Sequence, residues 1–151
     1  MDNTIISTRH GLIKFMSLFH SLFTPTFKRK IDDEYDCTKN QIKAILILGR
    51  AKEITPTILG KCMDMEKGSI TTLIDSMKSM NLVYREDDPK DKRKIIIKLS
   101  KEGERYYIRQ EENFNKRIEE LFSILSKEEI EKFNNSLKTI VGVLEKVRDN
   151  Q

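Results

Sequence analysis

Residues 82–100 read Leu82-Val83-Tyr84-Arg85-Glu86-Asp87-Asp88-Pro89-Lys90-Asp91-Lys92-Arg93-Lys94-Ile95-Ile96-Ile97-Lys98-Leu99-Ser100. Two short β-prone runs, 82–85 and 95–99, flank a polar stretch at 86–91 whose Asp and Pro residues supply turn chemistry, so the segment is predicted to be a β-hairpin. Its charge is uneven. Between 89 and 98, Lys90, Lys92, Arg93, Lys94 and Lys98 face Asp91 alone, a surplus equal to the whole chain's formal net charge of +4. A hairpin tip with several cations can straddle phosphates, and an arginine there can enter a narrow minor groove where the potential is most negative. The plainer reading of the same residues is a solvated turn whose charges keep strand edges from pairing with other chains.

Upstream, Thr55-Pro56 joins a hydroxyl cap to a proline at the first helical position, opening a short helix over 57–63. After a break at Asp64-Met65, Ile70, Leu73, Ile74 and Met77 recur at i, i+3, i+4 and i+7 and define the next helix. Two helices and a tight turn followed directly by a hairpin are the order of a winged helix-turn-helix. Lys67, Gly68, Ser69, Thr71 and Thr72 fall on exposed positions of the second helix and suit base edges and phosphates, while Glu66 and Asp75 cancel Lys67 and Lys78. Further upstream, Thr38 and Gln41 form a capping box for a helix running to Arg50, which buries Ile42, Ile45, Leu46 and Leu48 and has Gly49 placed to end it.

The flanks are helical. Ile5, Ile6, Leu12, Ile13, Met16, Phe19 and Phe23 give an amphipathic helix over 4–23, with a break expected near Thr24 because of Pro25, then the basic patch Lys28-Arg29-Lys30. Beyond the hairpin, Ser100 caps a helix over 101–125 with Tyr106, Tyr107, Phe114, Ile118, Leu121, Phe122 and Leu125 as its apolar surface. Ser126-Lys127-Glu128-Glu129 is another capping box, opening a last helix with Ile130, Phe133, Leu137, Ile140, Val141, Leu144 and Val147 along one stripe. The expected fold is mainly α with a small β-hairpin: one domain over 1–151, with a winged helix-turn-helix at 37–100 and dimerisation helices at 1–36 and 101–151. Wide apolar faces on the outer helices need a partner, which a two-fold interface supplies.

Composition narrows the function classes. At 151 residues the chain can bury one real core, and its 34% charged share exceeds the usual quarter. Mean hydropathy is −0.53, and the longest aliphatic run, 44–48, falls far short of the roughly 20 residues that cross a bilayer, so no membrane partner is expected. Without a basic leader, the expected location is cytoplasmic. Cys37 and Cys62 lie 25 positions apart and form neither a C-x-x-C pair nor a ligand set with His10 and His20, so no metal or other cofactor is expected. The two histidines fall on different turns of one helix, and no nucleophile elbow, zinc-protease or phosphate-loop motif occurs, so no catalytic residue is assigned and the chain reads as a non-enzyme.

Residues 91–100, with Lys101-Glu102-Gly103 continuing them, resemble the wing signature D-x-R…L-[TS] of the MarR family of bacterial and archaeal transcriptional regulators, and 58–83 and the Thr38–Gln41 cap look like its second to fourth helices. The resemblance implies a homodimer in which the first, fifth and sixth helices interlock, placing recognition helices in consecutive major grooves of a pseudo-palindromic operator, about 34–36 Å apart. It casts Arg93 as the minor-groove arginine, Asp91 as its brace, and Lys67, Gly68, Ser69, Thr71 and Thr72 as recognition-helix positions; the charge of the tip adds Lys92 and Lys94 as expected DNA contacts. Glu66 stands where the family places Ser or a similar cap, leaving Asp64 as the substitute. The family also implies a small aromatic effector held between the dimerisation helices and the winged helix. Met16, Phe19 and His20 are candidates to line that pocket, with core packing the alternative. A peroxide-sensing thiol would fall in the first helix, where this chain has none, so Cys37 and Cys62 read as structural. The expected function is a sequence-specific DNA-binding repressor with double-stranded DNA and a second copy of itself as partners; the alternative is a winged-helix module that binds an acidic protein.

Overall fold

A computed structural model describes residues 2–24 and 34–150; Pro25 and Lys28-Arg29-Lys30 lie outside the described residues. Helix α1 (Asn3–Phe23) is followed by α2 (Lys39–Ala51), β1 (Glu53–Ile54), α3 (Pro56–Met63), α4 (Lys67–Ser79), β2 (Val83–Asp87), β3 (Ile95–Leu99), α5 (Lys101–Phe122) and α6 (Lys127–Arg148). The chain divides into two compact units, Met1–Phe114 and Asn115–Gln151, with the boundary inside α5.

The first unit contains the core. Ala44, Ile45 and Leu48 of α2, Leu59 of α3, Ile70, Ile74 and Met77 of α4, and Leu82, Ile97 and Tyr106 are almost wholly removed from solvent. Each such aliphatic side chain contributes roughly 1.5–3 kcal/mol relative to exposure. The caps read from sequence close their helices. Thr38 Oγ1 accepts from the Gln41 amide at 3.3 Å while Gln41 Oε1 accepts from the Thr38 amide at 2.7 Å, and Ser126 and Glu129 repeat the exchange at α6. Ser100 Oγ accepts from the Gly103 amide at 3.0 Å, tying the end of β3 to the start of α5. At the same junction Tyr35 packs edge-on against Tyr106, ring centroids 5.3 Å apart, and donates to Glu102 Oε2 at 3.1 Å.

Several local expectations change. The hairpin gains a third strand: β1 pairs antiparallel with β3, Glu53 opposite Lys98 and Ile54 opposite Ile97, giving the order β1-β3-β2. β2 begins at Val83 and runs on to Asp87, deeper into the stretch read as turn. Gly49 does not end α2, which continues to Ala51 and stops at Lys52, whose φ of 66° leaves the helical basin. Gly49 is required because a Cβ there would fall inside the Tyr107 ring of α5. Helix α5 ends at Phe122, before Leu125, because Leu125 already donates to the Phe122 carbonyl in the turn leading to Ser126.

The outer helices α1 and α6 bury no residue. Phe15, Phe19 and Phe23 stack along α1, and Phe23 lies 6.3 Å from Phe114. Met16, Phe19 and His20 are exposed, so the core-packing alternative does not describe them. No described helix is long and apolar enough to cross a membrane.

Candidate nucleic-acid interface

Helices α3 and α4 are joined by a three-residue turn, residues 64–66. Asp64 adopts the left-handed conformation, φ 50° and ψ 50°, and the Met65 amide donates back to the Gly60 carbonyl at 3.0 Å. The turn can be this tight because residue 60 is glycine: a Cβ there would lie 3.1 Å from the Met65 carbonyl and 3.2 Å from Ile70 Cγ1. Asp64 is thereby occupied as the end of α3. It does not cap α4, whose N-cap Glu66 makes no side-chain cap hydrogen bond.

With Ile70, Leu73, Ile74 and Met77 turned inward, Lys67, Gly68, Ser69, Thr71 and Thr72 are exposed together on the outer face of α4. Thr71 Oγ1 donates to the Lys67 carbonyl at 2.9 Å and Thr72 Oγ1 to the Gly68 carbonyl at 3.1 Å. The wing tip is closed by two aspartates. Asp88 Oδ1 accepts from the Lys90 amide at 2.8 Å, and Asp91 Oδ1 accepts from the Arg93 amide at 3.1 Å. Asp91 Oδ1 also sits 3.6 Å from Arg93 Nε, while the Arg93 side chain remains 96% exposed. One carboxylate therefore shapes the turn and steadies the guanidinium without covering it.

The sequence count overstated the charge available at the tip. Lys98 is consumed at the wing's root, its Nζ 2.6 Å from Glu86 and 3.5 Å from Glu53, a triad that bridges all three strands. The hydrogen bond to Glu86 holds the Lys98 ammonium above its ordinary pKa, against a smaller opposing pull from burial. Lys90, Lys92, Arg93 and Lys94 are left exposed at the tip. Arg85 is the residue that sequence reasoning missed. It reaches from β2 to Asp75 of α4 at 2.5 Å, a direct link between recognition helix and wing. Ten positions separate the two residues in sequence, and only the folded turn brings them together. An open cleft of about 740 Å³ runs between α3, α4 and the wing, lined by Pro56, Lys61, Lys67, Thr71, Arg85 and Ile95 among others.

Comparison with known proteins agrees with this geometry. Residues 37–95 match the model of the MarR family. An uncharacterised HTH-type transcriptional regulator of Bacillus subtilis, YcgE, is 32% identical over 84 residues, 54% of each chain, so this chain spans about half the length of that curated relative. Among solved structures, a MarR transcriptional regulator from Methanosarcina mazei aligns with a TM-score of 0.77 at 21% identity, covering 91% of this chain and 99% of that one. Streptococcus pneumoniae FabT, solved in complex with DNA, aligns with a TM-score of 0.71 at 18% identity, covering 93% and 99%. Two short helices, the Gly60 turn and the aspartate-closed wing all lie within the matched segment or at its edge: residues 37–95 form a winged helix-turn-helix similar to that of the MarR family.

Proposed function

We propose that the protein is a sequence-specific DNA-binding transcriptional regulator, working as a homodimer that represses a pseudo-palindromic operator. In this reading α4 lies in the major groove, where Lys67, Ser69, Thr71 and Thr72 meet base edges and phosphates and Gly68 permits close approach. The wing follows the neighbouring backbone with Lys92 and Lys94 and sends Arg93, braced by Asp91, into the minor groove. The observation that carries the reading is the pairing of an exposed polar recognition face with a cluster of uncovered cations on an arm joined to it through Arg85 and Asp75.

Self-association is supported by exposed apolar side chains on α1 and on α6, among them Met16, Phe19, Phe133 and Leu144, which are between 42% and 59% exposed in one chain. A second copy covers such faces most economically, because the same patch serves both subunits. Relief of repression by a small aromatic effector belongs to the same reading, with Met16, Phe19 and His20 the α1 side chains available to it.

Titrating the protein against duplex DNA at several salt concentrations tests the function. Neutralised phosphates release counterions, so the logarithm of the association constant should fall linearly with that of salt, with a slope of about −0.9 for each phosphate engaged. Binding that is flat across salt, or binding to an acidic protein in place of duplex DNA, would contradict it.

A further inference from the structure

We propose that Glu66 is a specificity residue that reads a cytosine amino group in each half-site, an inference that rests on α4 entering the major groove. Glu66 begins the recognition helix, is exposed, and is bound to the helix only through its backbone carbonyl, which accepts from the Ile70 amide at 3.0 Å. Helices α2, α3 and α6 each begin with a hydroxyl side chain that caps its own backbone; at α4 the carboxylate is uncommitted, with neither a cap hydrogen bond nor an ion pair among the described residues.

Further acceptors stand on the same helix. Thr71 and Thr72 give their hydroxyl protons to the helix, so each presents oxygen lone pairs outward. These hydroxyls therefore set acceptors beside the donors of Lys67 and the uncapped first turn of α4. Gly68, two residues on, has nothing within 4 Å of where a Cβ would stand, so its missing side chain serves no internal packing and lets the first turn of α4 come close to the bases.

A carboxylate brought against DNA is repelled by every phosphate, so it is tolerated only where it meets a donor. The major groove offers two, cytosine N4 and adenine N6. Adenine's amino group is flanked by acceptors on both sides, its own N7 and thymine O4, which oppose a carboxylate, whereas cytosine's amino group has guanine O6 on one side only and a C5–H on the other. Cytosine is the base that Glu66 fits.

Selection of bound duplexes from a random pool by the full-length protein, by Glu66→Ala and by Glu66→Gln tests this. The expected result for the unaltered protein is a cytosine enriched about tenfold at one position of each half-site. Glu66→Ala should lose that preference and keep the rest of the motif. Glu66→Gln should move it toward adenine, because an amide can bond N6 and N7 together. Retention of the same cytosine by both variants would overturn the inference and leave the major-groove reading standing. Failure of the unaltered protein to select any motif would overturn both.

Discussion

Replacing Lys92, Arg93 and Lys94 together by Ala should weaken duplex binding on the order of a thousandfold while leaving the fold intact. All three side chains are exposed, and Arg93 is 96% so, so their removal takes away no core contact and should change stability by no more than about 0.5 kcal/mol. Removal of a base-contacting or groove-inserted arginine costs about 1–3 kcal/mol, and two wings in a dimer double the effect. The salt dependence separates this from a folding defect. Four lysines removed from four phosphates should make the slope of log affinity against log salt shallower by roughly 3.6. Equal affinity and parallel slopes for variant and parent would take the wing off the DNA. The same comparison at Lys98 should show much less, because its ammonium is already held by Glu86 and Glu53.

Gly103→Ala should lower stability by about 2 kcal/mol, although helix propensity favours the change. Gly103 lies in the first turn of α5, where Ala gains up to about 1 kcal/mol over Gly. A Cβ at that position would fall on the Leu82 carbonyl oxygen. That oxygen also accepts from the Ser100 amide at 2.9 Å, so moving it disturbs the link between β3 and α5. Overpacking against backbone typically costs about 1–3 kcal/mol and a broken hydrogen bond about 1 more, which outweighs the propensity gain. Urea unfolding of both proteins at one subunit concentration measures the difference, since self-association would otherwise contribute to apparent stability. An unchanged or raised midpoint would show that the α5 start has slack that the packing denies.

The parts of the fold legible in the sequence are those fixed by neighbours in the chain. Thr38 with Gln41, Thr55 with Pro56 and Ser126 with Glu129 announce helix starts because each cap satisfies donors within its own turn. The spacing of Ile70, Leu73, Ile74 and Met77 gives α4 its buried face directly. What was misread depends on distant partners. Strand β1 is only Glu53–Ile54 and exists through its pairing with Lys98 and Ile97. Gly49 carries a local signal for a helix end, but its reason is the Tyr107 ring from another helix. Asp64 has the chemistry of an N-cap, yet the left-handed turn that lets α3 meet α4 claims it first.

The interface divides along the same line. The basic tip and the braced Asp91–Arg93 pair are close in sequence and could be read from it. The loss of Lys98 to the strand triad and the Asp75–Arg85 bridge arise only when β2, β3 and α4 are brought together. The Asp75–Arg85 pair joins α4 to β2 directly, and in the proposed reading this holds base contact and phosphate contact in one register.

Hydroxyl-radical footprinting of the protein on its selected duplex tests the paired winged helix most directly. Two protected half-sites with centres about 10–10.5 base pairs apart, flanked on the outside by protection across the minor groove, are the result this account predicts. A single unpaired footprint, or protection that Arg93→Ala leaves unchanged at the flanks, would contradict it.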